Sequence, residues 1–483
     1  MRIAHITAEA FPWAKVGGLA DAVTGLARAL AQAGHEVTLL LPGYRSVSLT
    51  PDSFDRWPEV LYDHLAFQPV RAFVWGLREA QPFHLWVIDI PEYFDRSGIY
   101  ADPQRGEYWD DMARYVAFVR MALRALETRR WIPDVLHLHD WHAAPAVAWL
   151  RYDTGAFPTL ETVSIVLTVH NLAYQGVFLR DLWPWLNLSE QFLHPEAFEF
   201  YGRVNLLKAA LLAADAVTTV SPSYAEEIQR PEYGHGLDGL LRHLRSKLVG
   251  ILNGIDTDVW DPARDPYLPA HYDVQDLAGK RVCKAYLLQT LGLTVPAEAP
   301  LCGMVSRLTY QKGIDLLLEA IPWIVDQGAG LVVQGTGEAA YEDGFRRAVR
   351  LFPGRVVYVD RYDEAMAHQI EAGCDIYLMP SRFEPCGLNQ MYSLRYGTVP
   401  VVRAVGGLRD TVIDVREAPQ IGTGFRFEPP TTEALVATLQ DAFDFYKIPD
   451  LWHTLILRGM AQDFSWRRAA RRYTDLYERI VRR

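Results

Sequence analysis

Cysteine and lysine are both scarce in this chain of 483 residues. The four cysteines (Cys283, Cys302, Cys374 and Cys386) lack metal-ligand spacing and are too few for a disulfide framework. Only seven of the 48 basic residues are lysines, so a lysine is an uncommon choice wherever it occurs. The sequence also lacks a signal peptide and any apolar run as long as a membrane span, which together predict a cytoplasmic protein.

The chain also has no excess of positive charge. The formal net charge is -11 at pH 7, which argues against nucleic acid or an anionic membrane as the partner. An uncharged partner is neither favoured nor disfavoured by this charge. With 50% hydrophobic and 22% charged residues, the composition is typical of a soluble globular protein with two or three domains.

Short apolar runs alternate with amphipathic helical segments along the chain, as expected for parallel strands buried on both faces. The runs lie at residues 3–8, 37–41, 86–90, 135–139, 165–169 and 216–220, and then at 301–305, 331–334, 356–359, 376–379 and 399–402. A stretch with three prolines, residues 253–269, separates the two groups. We therefore predict an α/β fold with two doubly wound domains, at residues 1–252 and 253–465, followed by a final helix at 466–483.

The segment PSRFEPCGL, which begins at Pro380, combines a strand end, a polar loop and the start of a helix. Open α/β sheets bind ligands beyond the carboxyl ends of their strands, and a helix start offers free N–H groups to an anion. Glu384, in this loop, is therefore a candidate for ligand chemistry. Local pattern alone also allows an ordinary strand–loop–helix connection.

Two other loops have residues suited to an anionic ligand. KVGGLAD, from Lys15 to Asp21, places paired glycines between the first strand and the first helix, where the backbone can approach a ligand closely. SRLTYQKG places Arg307 and Lys312 five residues apart at a strand exit, where both can reach a diphosphate. Packing alone explains many paired glycines, and a basic loop is often only solvated.

With KVGGLAD, SRL-x-x-QKG and FEPCGL in this order along the chain, the sequence resembles bacterial glycogen synthases and plant starch synthases. HDWH (139–142), VHNLAYQG (169–176) and NGID (253–256) resemble further segments of that family, so the resemblance covers nearly the whole chain. It implies a GT-B-type architecture of two Rossmann-like domains that face a cleft. The first would bind the acceptor, the second would bind the nucleotide sugar, and the final helix would cross back to the first.

The resemblance also implies an activity and a set of site residues. The activity is transfer of glucose from ADP-glucose to the non-reducing end of an α-1,4-glucan, with retention and with no metal or other cofactor. The implied catalytic residues are Glu384, Arg307, Lys312 and His170. The implied substrate-binding residues are Lys15, Gly17, Gly18, Asp21, Asp140, His142, Asn171, Asn253, Lys284, Gly335, Gly337, Tyr362, Cys386, Gly387, Asn389, Gly406 and Gly407.

Two positions depart from the bacterial pattern, which has Thr where this chain has Asn389 and Val405. Asparagine can still donate a hydrogen bond but valine cannot, so these departures bear on the contacts to the diphosphate. The sequence alone does not decide between ADP-glucose and UDP-glucose.

Three other functions compete with this interpretation. A sucrose-type or trehalose-type synthase would share the FE-P-x-G and basic-loop features but not KVGGLAD. A dinucleotide-binding oxidoreductase would need G-x-G-x-x-G after a strand, which neither GTGEAA nor KVGGLA provides. A catalytically silent glucan-binding protein is the non-enzyme alternative, and the retained Lys15, Arg307, Lys312 and Glu384 argue against it.

Two sequence patterns resemble metal-binding motifs, but neither predicts a metal site. Asp256 and Asp258 form D-x-D, but in the predicted hinge rather than after a nucleotide-binding strand. His139 and His142 have no third ligand at helix spacing, so we predict no metal there.

Overall fold

The computed structural model of the protein describes residues 1–102 and 106–481. The backbone divides into two compact units. The first contains Met1–Val220, Ala225–Gly254 and the C-terminal helix, and the second contains Ser221–Tyr224 and Ile255–Ser465. The predicted helix at 466–483 extends to Arg482 and Arg483, which lie outside the described residues. Within the described ranges, no helix is both long and apolar enough to span a membrane.

The first unit is built on a nine-stranded sheet. The strands of this unit are β1 (Arg2–Ile6), β2 (Glu36–Pro42), β3 (Phe54–Leu65), β4 (Gln68–Leu77), β5 (His84–Asp89), β6 (Ala101–Asp102), β7 (Gly106–Glu107), β8 (Val135–His139), β9 (Ser164–Val169), β10 (Val177–Leu179), β11 (Glu199–Phe200), β12 (Arg203–Asn205), β13 (Ala216–Thr219) and β14 (Leu248–Gly250). The large sheet has the order β14-β13-β9-β8-β1-β2-β5-β4-β3, in which the β3–β4 and β4–β5 pairs are antiparallel and the other pairs are parallel. The remaining strands form a three-stranded sheet, β10-β12-β11, and the pair β6-β7.

The order of the strands reverses between β1 and β8. The chain moves from β1 to β2 on one side, and later to β8, β9 and β13 on the other. Such a switch point leaves a crevice at the carboxyl ends of the two central strands, and ligands of doubly wound sheets bind there. The loop after β1 contains KVGG, and β8 ends at His139 of the HDWH segment. The topology therefore brings these two predicted motifs to the same edge of the sheet.

The helices in the chain up to Gly254 and the C-terminal helix flank these strands. They are α1 (Gly18–Gln32), α2 (Pro91–Phe94), α3 (Asp111–Thr128), α4 (Asp140–Ala143), α5 (Leu206–Ala213), α6 (Pro222–Glu227), α7 (Asp238–His243) and, after the second unit, α16 (Trp466–Val481). α16 buries Trp466, Ala470, Tyr473 and Tyr477, spaced three or four residues apart as one helix face requires, and it packs on α1. A Cβ atom at Gly25 of α1 would lie 2.0 Å from Nε1 of Trp466.

We predict that Gly25→Ala destabilises the first unit, although alanine is the better helix former. The added methyl group collides with a rigid indole, and overpacking of this kind costs about 1–3 kcal/mol, more than the roughly 1 kcal/mol that alanine gains in a helix. The free energy of unfolding, measured in urea, tests this. Gly239→Ala is the matched control, because its nearest neighbour would be the flexible end of Arg242 at 3.7 Å. A Gly25→Ala variant as stable as the wild type would contradict the prediction.

The second unit has a six-stranded sheet that is parallel throughout. Its strands are β15 (Leu301–Val305), β16 (Gly330–Gln334), β17 (Val356–Val359), β18 (Ile376–Met379), β19 (Val399–Arg403) and β20 (Phe425–Phe427). Its helices are α8 (Ala278–Thr290), α9 (Ile314–Asp326), α10 (Ala339–Leu351), α11 (Glu364–Gly373), α12 (Asn389–Arg395), α13 (Gly406–Thr411), α14 (Thr432–Tyr446) and α15 (Pro449–Met460). The order β17-β16-β15-β18-β19-β20 is that of a Rossmann fold, with its switch point between β15 and β18.

Trp260 and Asp265 of the Pro-rich segment belong to a buried polar and aromatic cluster of the second unit. Trp260 lies flat between the rings of His368 and Tyr392, with 3.8 Å between centroids on each side. Nδ1 of His368 is 2.6 Å from Oδ2 of Asp265. Burial alone would lower the pKa of His368, but the hydrogen bonds to Asp265 and Glu364 outweigh it and raise this pKa. The segment predicted as a linker is therefore ordered where it contacts this unit.

Candidate active site

Lys312 and Glu384 meet at the switch point of the second unit. Lys312 follows β15 and Glu384 follows β18, and Nζ of Lys312 is 2.5 Å from Oε2 of Glu384. The hydroxyl of Ser381 donates to the same oxygen at 3.0 Å. Arg307, in the same loop as Lys312, is exposed, and its guanidinium has no partner among the described residues. The structure thus brings Lys312 and Glu384 into contact and leaves the guanidinium of Arg307 available to an anion.

Arg382 connects the two loops that hold this ion pair. Its guanidinium makes two hydrogen bonds to the carboxylate of Asp315, at 2.6 and 2.7 Å, and lies 3.9 Å from the ring centroid of Tyr310. Its backbone N–H donates to the carbonyl of Gln311 at 2.8 Å. Burial would raise the pKa of Asp315, but Arg382 outweighs it and lowers this pKa. The sequence interpretation did not assign this role, because nothing local links Arg382 to an acid 67 residues away.

The predicted glycines lie where loop backbones touch. Gly406 has φ +44, and a Cβ there would lie 1.9 Å from the carbonyl oxygen of Glu384. The N–H of Gly407 donates to that same carbonyl at 3.1 Å. Gly335 and Gly337 approach the Arg307 loop equally closely, with Cβ positions 1.8 and 2.2 Å from the carbonyl oxygens of Ser306 and Leu308. These glycines fix the loops around Glu384 and Arg307 relative to one another.

Of the two departures, Val405 is buried in the core and Asn389 is half-buried at the start of α12. The amide of Asn389 donates to the hydroxyl of Tyr377 at 2.9 Å and to Glu371 at 3.4 Å. Burial raises the pKa of Glu371 well above its ordinary value. Val405 is 4% exposed and belongs to a hydrophobic cluster. The amide of Asn389 is thus engaged within the protein, and its contact with substrate stays a prediction. Neighbouring Cys386 and Gly387 have their carbonyls bound by Gln390.

Lys284 lies near the start of β15. Its Nζ lies 2.7 Å from Oδ2 of Asp375 and donates to the carbonyl of Ala299 at 2.8 Å. The same carboxylate oxygen accepts the N–H of Leu301, the first residue of β15, at 2.8 Å. Burial would lower the pKa of Lys284, but Asp375 outweighs it and raises this pKa. Lys284 therefore lies at the amino end of β15, whereas Lys312 follows its carboxyl end, and binding of substrate by Lys284 stays a prediction.

The remaining predicted residues of this region are less constrained. Tyr362 is 59% exposed in the loop after β17, and its hydroxyl donates to Glu364. Asn253 is buried in the first unit, after β14. In the D-x-D pattern, Asp256 accepts the N–H of Asp258 at 2.9 Å, and Asp258 pairs with Arg264 at 2.6 Å. These two aspartates therefore stabilise a local turn.

In the first unit, Glu9 organises the KVGG loop. Its Oε2 accepts the N–H groups of Val16 at 2.7 Å and Gly17 at 2.9 Å, and its Oε1 accepts the hydroxyl of Tyr100 at 2.6 Å. Gly18 begins α1. Lys15, in the same loop, pairs with Asp21, with 3.0 Å between Nζ and Oδ1. Sequence reasoning missed Glu9, although an acid directly after a central strand was a usable signal.

The HDWH and VHN segments meet at the carboxyl ends of β8 and β9. Asp140 has φ +57, a strained conformation for a residue other than glycine, and its Oδ1 accepts the N–H of His170 at 2.7 Å. Burial raises the pKa of Asp140 to about 7, against hydrogen bonds from the backbones of His170 and Asn171. His142 is buried against Trp141, Tyr100 and Tyr115. Asp140, His170 and Asn171 are thus adjacent, as the sequence interpretation requires.

One histidine group among the described residues has ring nitrogens close enough to hold a metal, within 4.8 Å of one another: His5, His137 and His139. Nδ1 of His137 is 2.7 Å from the hydroxyl of Tyr477, and its Nε2 is 2.6 Å from the hydroxyl of Thr168. Nδ1 of His5 is 2.9 Å from Nε2 of His139. A metal would have to break these hydrogen bonds, so the donors fit a hydrogen-bonded network better.

Comparison with known proteins decides the family. Residues 2–243 match the starch synthase catalytic domain, and residues 293–449 match the glycosyl transferases of group 1. The chain belongs to the glycogen and starch synthase family. It is 45% identical over 482 residues to a glycogen synthase of Anaeromyxobacter dehalogenans, covering 100% of both chains. It is 42% identical over 495 residues to a glycogen synthase of Cellvibrio japonicus, covering 99% of each.

Solved structures of this and related families share the fold. The catalytic domain of starch synthase IV from Arabidopsis thaliana, bound to ADP and acarbose, matches with a TM-score of 0.92 and 35% identity, covering 100% of this chain and 99% of that one. Sucrose-phosphate synthase from Thermosynechococcus elongatus, at 20% identity and a TM-score of 0.61, shares the fold alone. The predicted α/β fold with two Rossmann-like, GT-B-type units is confirmed, as is the predicted glycosyltransferase family.

Proposed function

We propose that the chain is a glycogen synthase that transfers glucose from ADP-glucose to the non-reducing end of an α-1,4-glucan with retention of configuration. The observation that supports this most is the contact of Lys312 with Glu384 beside the exposed Arg307, in a chain that aligns over its whole length with glycogen synthases. The starch synthase IV structure bound to ADP and acarbose supports a nucleotide and a glucan as ligands.

The second unit supplies the charges that the reaction needs. As the bond from the anomeric carbon to the diphosphate breaks, negative charge grows on the diphosphate and positive charge on the sugar. Arg307 and Lys312 would stabilise the diphosphate, since prepositioned charges act most strongly where charge develops. Glu384 would stabilise the sugar, and its ion pair with Lys312 holds it in place beforehand. The acceptor hydroxyl would bond to the anomeric carbon on the same face, and its proton would pass to the leaving diphosphate.

The first unit supplies polar groups suited to sugar hydroxyls. Asp140, His170 and Asn171 cluster at the ends of β8 and β9, and Glu9 holds the loop that presents Lys15. The protein's four cysteines are free and buried, which fits a reducing compartment, and we propose the cytoplasm.

ADP-glucose is expected to be the preferred donor. We predict a kcat/KM for ADP-glucose at least about tenfold above that for UDP-glucose, equivalent to about 1.4 kcal/mol, with a maltooligosaccharide acceptor. Tyr362 is proposed to stack on the nucleotide base. Tyr362→Ala should therefore weaken binding of both donors by a similar factor, because stacking is worth about 1–3 kcal/mol and tolerates any base. Product formation from each donor, with both proteins, tests this. A ratio that favours UDP-glucose would overturn the donor assignment.

Activity is expected to survive a strong chelator. Arg307 and Lys312 are proposed to hold the diphosphate, so no divalent cation is needed. Turnover should be unchanged after dialysis against EDTA and after re-addition of Mg²⁺. Loss on chelation that Mg²⁺ or Mn²⁺ restores would instead assign a metal to the site.

A further inference from the structure

Three histidines of the first unit form a line of ring-to-ring hydrogen bonds. Nδ1 of His5 lies 2.9 Å from Nε2 of His139, and Nδ1 of His139 lies 3.0 Å from Nε2 of His170. His5 and His139 are 0% and 1% exposed on the central strands β1 and β8, whereas His170 is partly exposed after β9. The line therefore runs from the core of the sheet to the predicted sugar pocket, and Nδ1 of His170 is the ring nitrogen at its outer end.

All three rings are neutral around pH 7. Burial lowers the pKa of His5 and of His170 to about 3, and it lowers the pKa of His139 well below its ordinary value. Each neutral imidazole has one N–H and one lone pair. Two hydrogen bonds across three such rings allow only two proton orders, with every ring donating outward toward His170 or every ring donating inward toward His5.

The inner end of the line distinguishes the two orders. Nε2 of His5 is buried and has no hydrogen-bond partner in the described part of the chain. The inward order would place an N–H on this atom, whereas the outward order leaves only a lone pair there. A buried N–H without an acceptor costs about 1–3 kcal/mol, and such orphaned donors are rarer in native structures than under-used acceptors. The outward order is favoured.

We propose that His5 and His139 are positioning residues that fix His170 as the Nδ1–H tautomer, so that His170 offers the sugar a neutral hydrogen-bond donor. The assignment rests on the proposed glucosyl transfer. A neutral donor suits that reaction, because a cationic imidazolium would repel the positive charge that develops on the glucose ring. The donor would bind a sugar hydroxyl without adding charge, as neutral imidazoles do in other enzymes.

A second set of contacts holds the rings of this histidine relay (His5, His139 and His170) in place. The ring of His137 lies 4.9 Å from that of His5 and 4.2 Å from that of His139, between centroids. His137 is itself held by the hydroxyls of Tyr477, from α16, and Thr168, from β9. The C-terminal helix thus contributes to the orientation of the relay.

The decisive experiment is a ¹⁵N spectrum of the histidine rings in the full chain at neutral pH, with His170 assigned by comparison with His170→Asn. The proposal expects His170 to be protonated at Nδ1 and unprotonated at Nε2. His5→Asn keeps an N–H near the Nδ1 position and should preserve this tautomer. His139→Ala removes the ring that donates to Nε2 of His170 and leaves space for water there, so the Nε2–H form of His170 should then appear.

Kinetics provides a second readout. His139→Ala should lower kcat by about tenfold, the effect of losing one hydrogen bond, whereas His5→Asn should retain most of it. Thr38→Val, at a buried residue of the same sheet whose hydroxyl has no partner among the described residues, is the matched control and should keep wild-type kcat.

An Nε2–H tautomer of His170 in the wild type would overturn the proposal, as would an unchanged tautomer in His139→Ala. Because the spectrum needs no substrate, a protein inactive with ADP-glucose that shows the Nδ1–H form would refute the proposed function and leave the relay intact.

Discussion

Glu384→Gln is expected to lower kcat by roughly a hundredfold or more, as loss of one transition-state electrostatic contact commonly does, while the protein stays folded. Glutamine has the shape of glutamate, so the loops after β15 and β18 keep their packing. It has no charge, however, so it cannot stabilise a positive anomeric centre. Because that charge exists only during the reaction, kcat should fall much more than KM rises.

The same substitution tests the role of Lys312. Without Glu384 its Nζ loses a partner at 2.5 Å, and we expect a modest fall in melting temperature rather than collapse, because Ser381 and the Arg382–Asp315 pair still hold the loop. Glu428→Gln is the matched control, since Glu428 pairs with Arg409 at 3.4 Å but is exposed. That control should have wild-type kcat. Near-wild-type kcat in Glu384→Gln would remove Glu384 from the mechanism, and a collapsed melting curve would make it structural.

The site residues that could be predicted from sequence are those in loops that follow buried strands. Buried parallel strands are continuous apolar runs, so the loops that follow them can be identified in the chain, and those after β15 and β18 contain Lys312 and Glu384. The antiparallel hairpin β3–β4 was not predicted. Its strands lie at the sheet edge and mix exposed charged residues with a few buried apolar ones, so they lack the continuous apolar run that identifies buried strands.

Pairings between distant residues could not be predicted, because they depend on register. Lys284 resembled a ligand-binding lysine, and only the fold reveals that Asp375 neutralises it. His5 and His137 looked like unremarkable strand residues, yet the pairing of β1 with β8 places them directly opposite each other. Glu9 is similar, since its partners Val16 and Gly17 are backbone N–H groups that no sequence pattern specifies.

Stability is expected to fall steeply as the pH drops below about 6.5, the ordinary pKa of histidine. Burial lowers the pKa of His5, His142 and His170 to about 3, and it lowers those of His137 and His139 well below the ordinary value. Below pH 6.5 these histidines are therefore protonated in the unfolded chain but remain neutral in the folded chain. Each such histidine removes about 1.4 kcal/mol of stability per pH unit until its folded pKa is reached.

Four groups with raised pKa values act in the opposite direction: Asp89, Asp140, Glu371 and His368. The pKa of Asp140 is raised to about 7, so the folded state binds this proton first and gains stability as the pH falls from 7 toward 3.8. The raised pKa of His368 has the same sign, and its contribution is complete below about pH 6.5. The five histidines with depressed pKa values outnumber the three carboxyls with raised ones, so a net loss of stability is expected as the pH falls below 6.5.

Urea unfolding at a series of pH values between 5 and 8 measures this slope. His142→Phe keeps an aromatic ring among Trp141, Tyr100 and Tyr115 but cannot titrate, so the slope should decrease by about 1.4 kcal/mol per pH unit. Asp140→Asn removes the opposing group and should make the slope steeper by a similar amount. His453→Gln, at an exposed histidine, should change nothing. A stability that stays constant from pH 7 to 5 would show that these rings are protonated in the folded protein, and the neutral relay of His5, His139 and His170 would then be wrong as well.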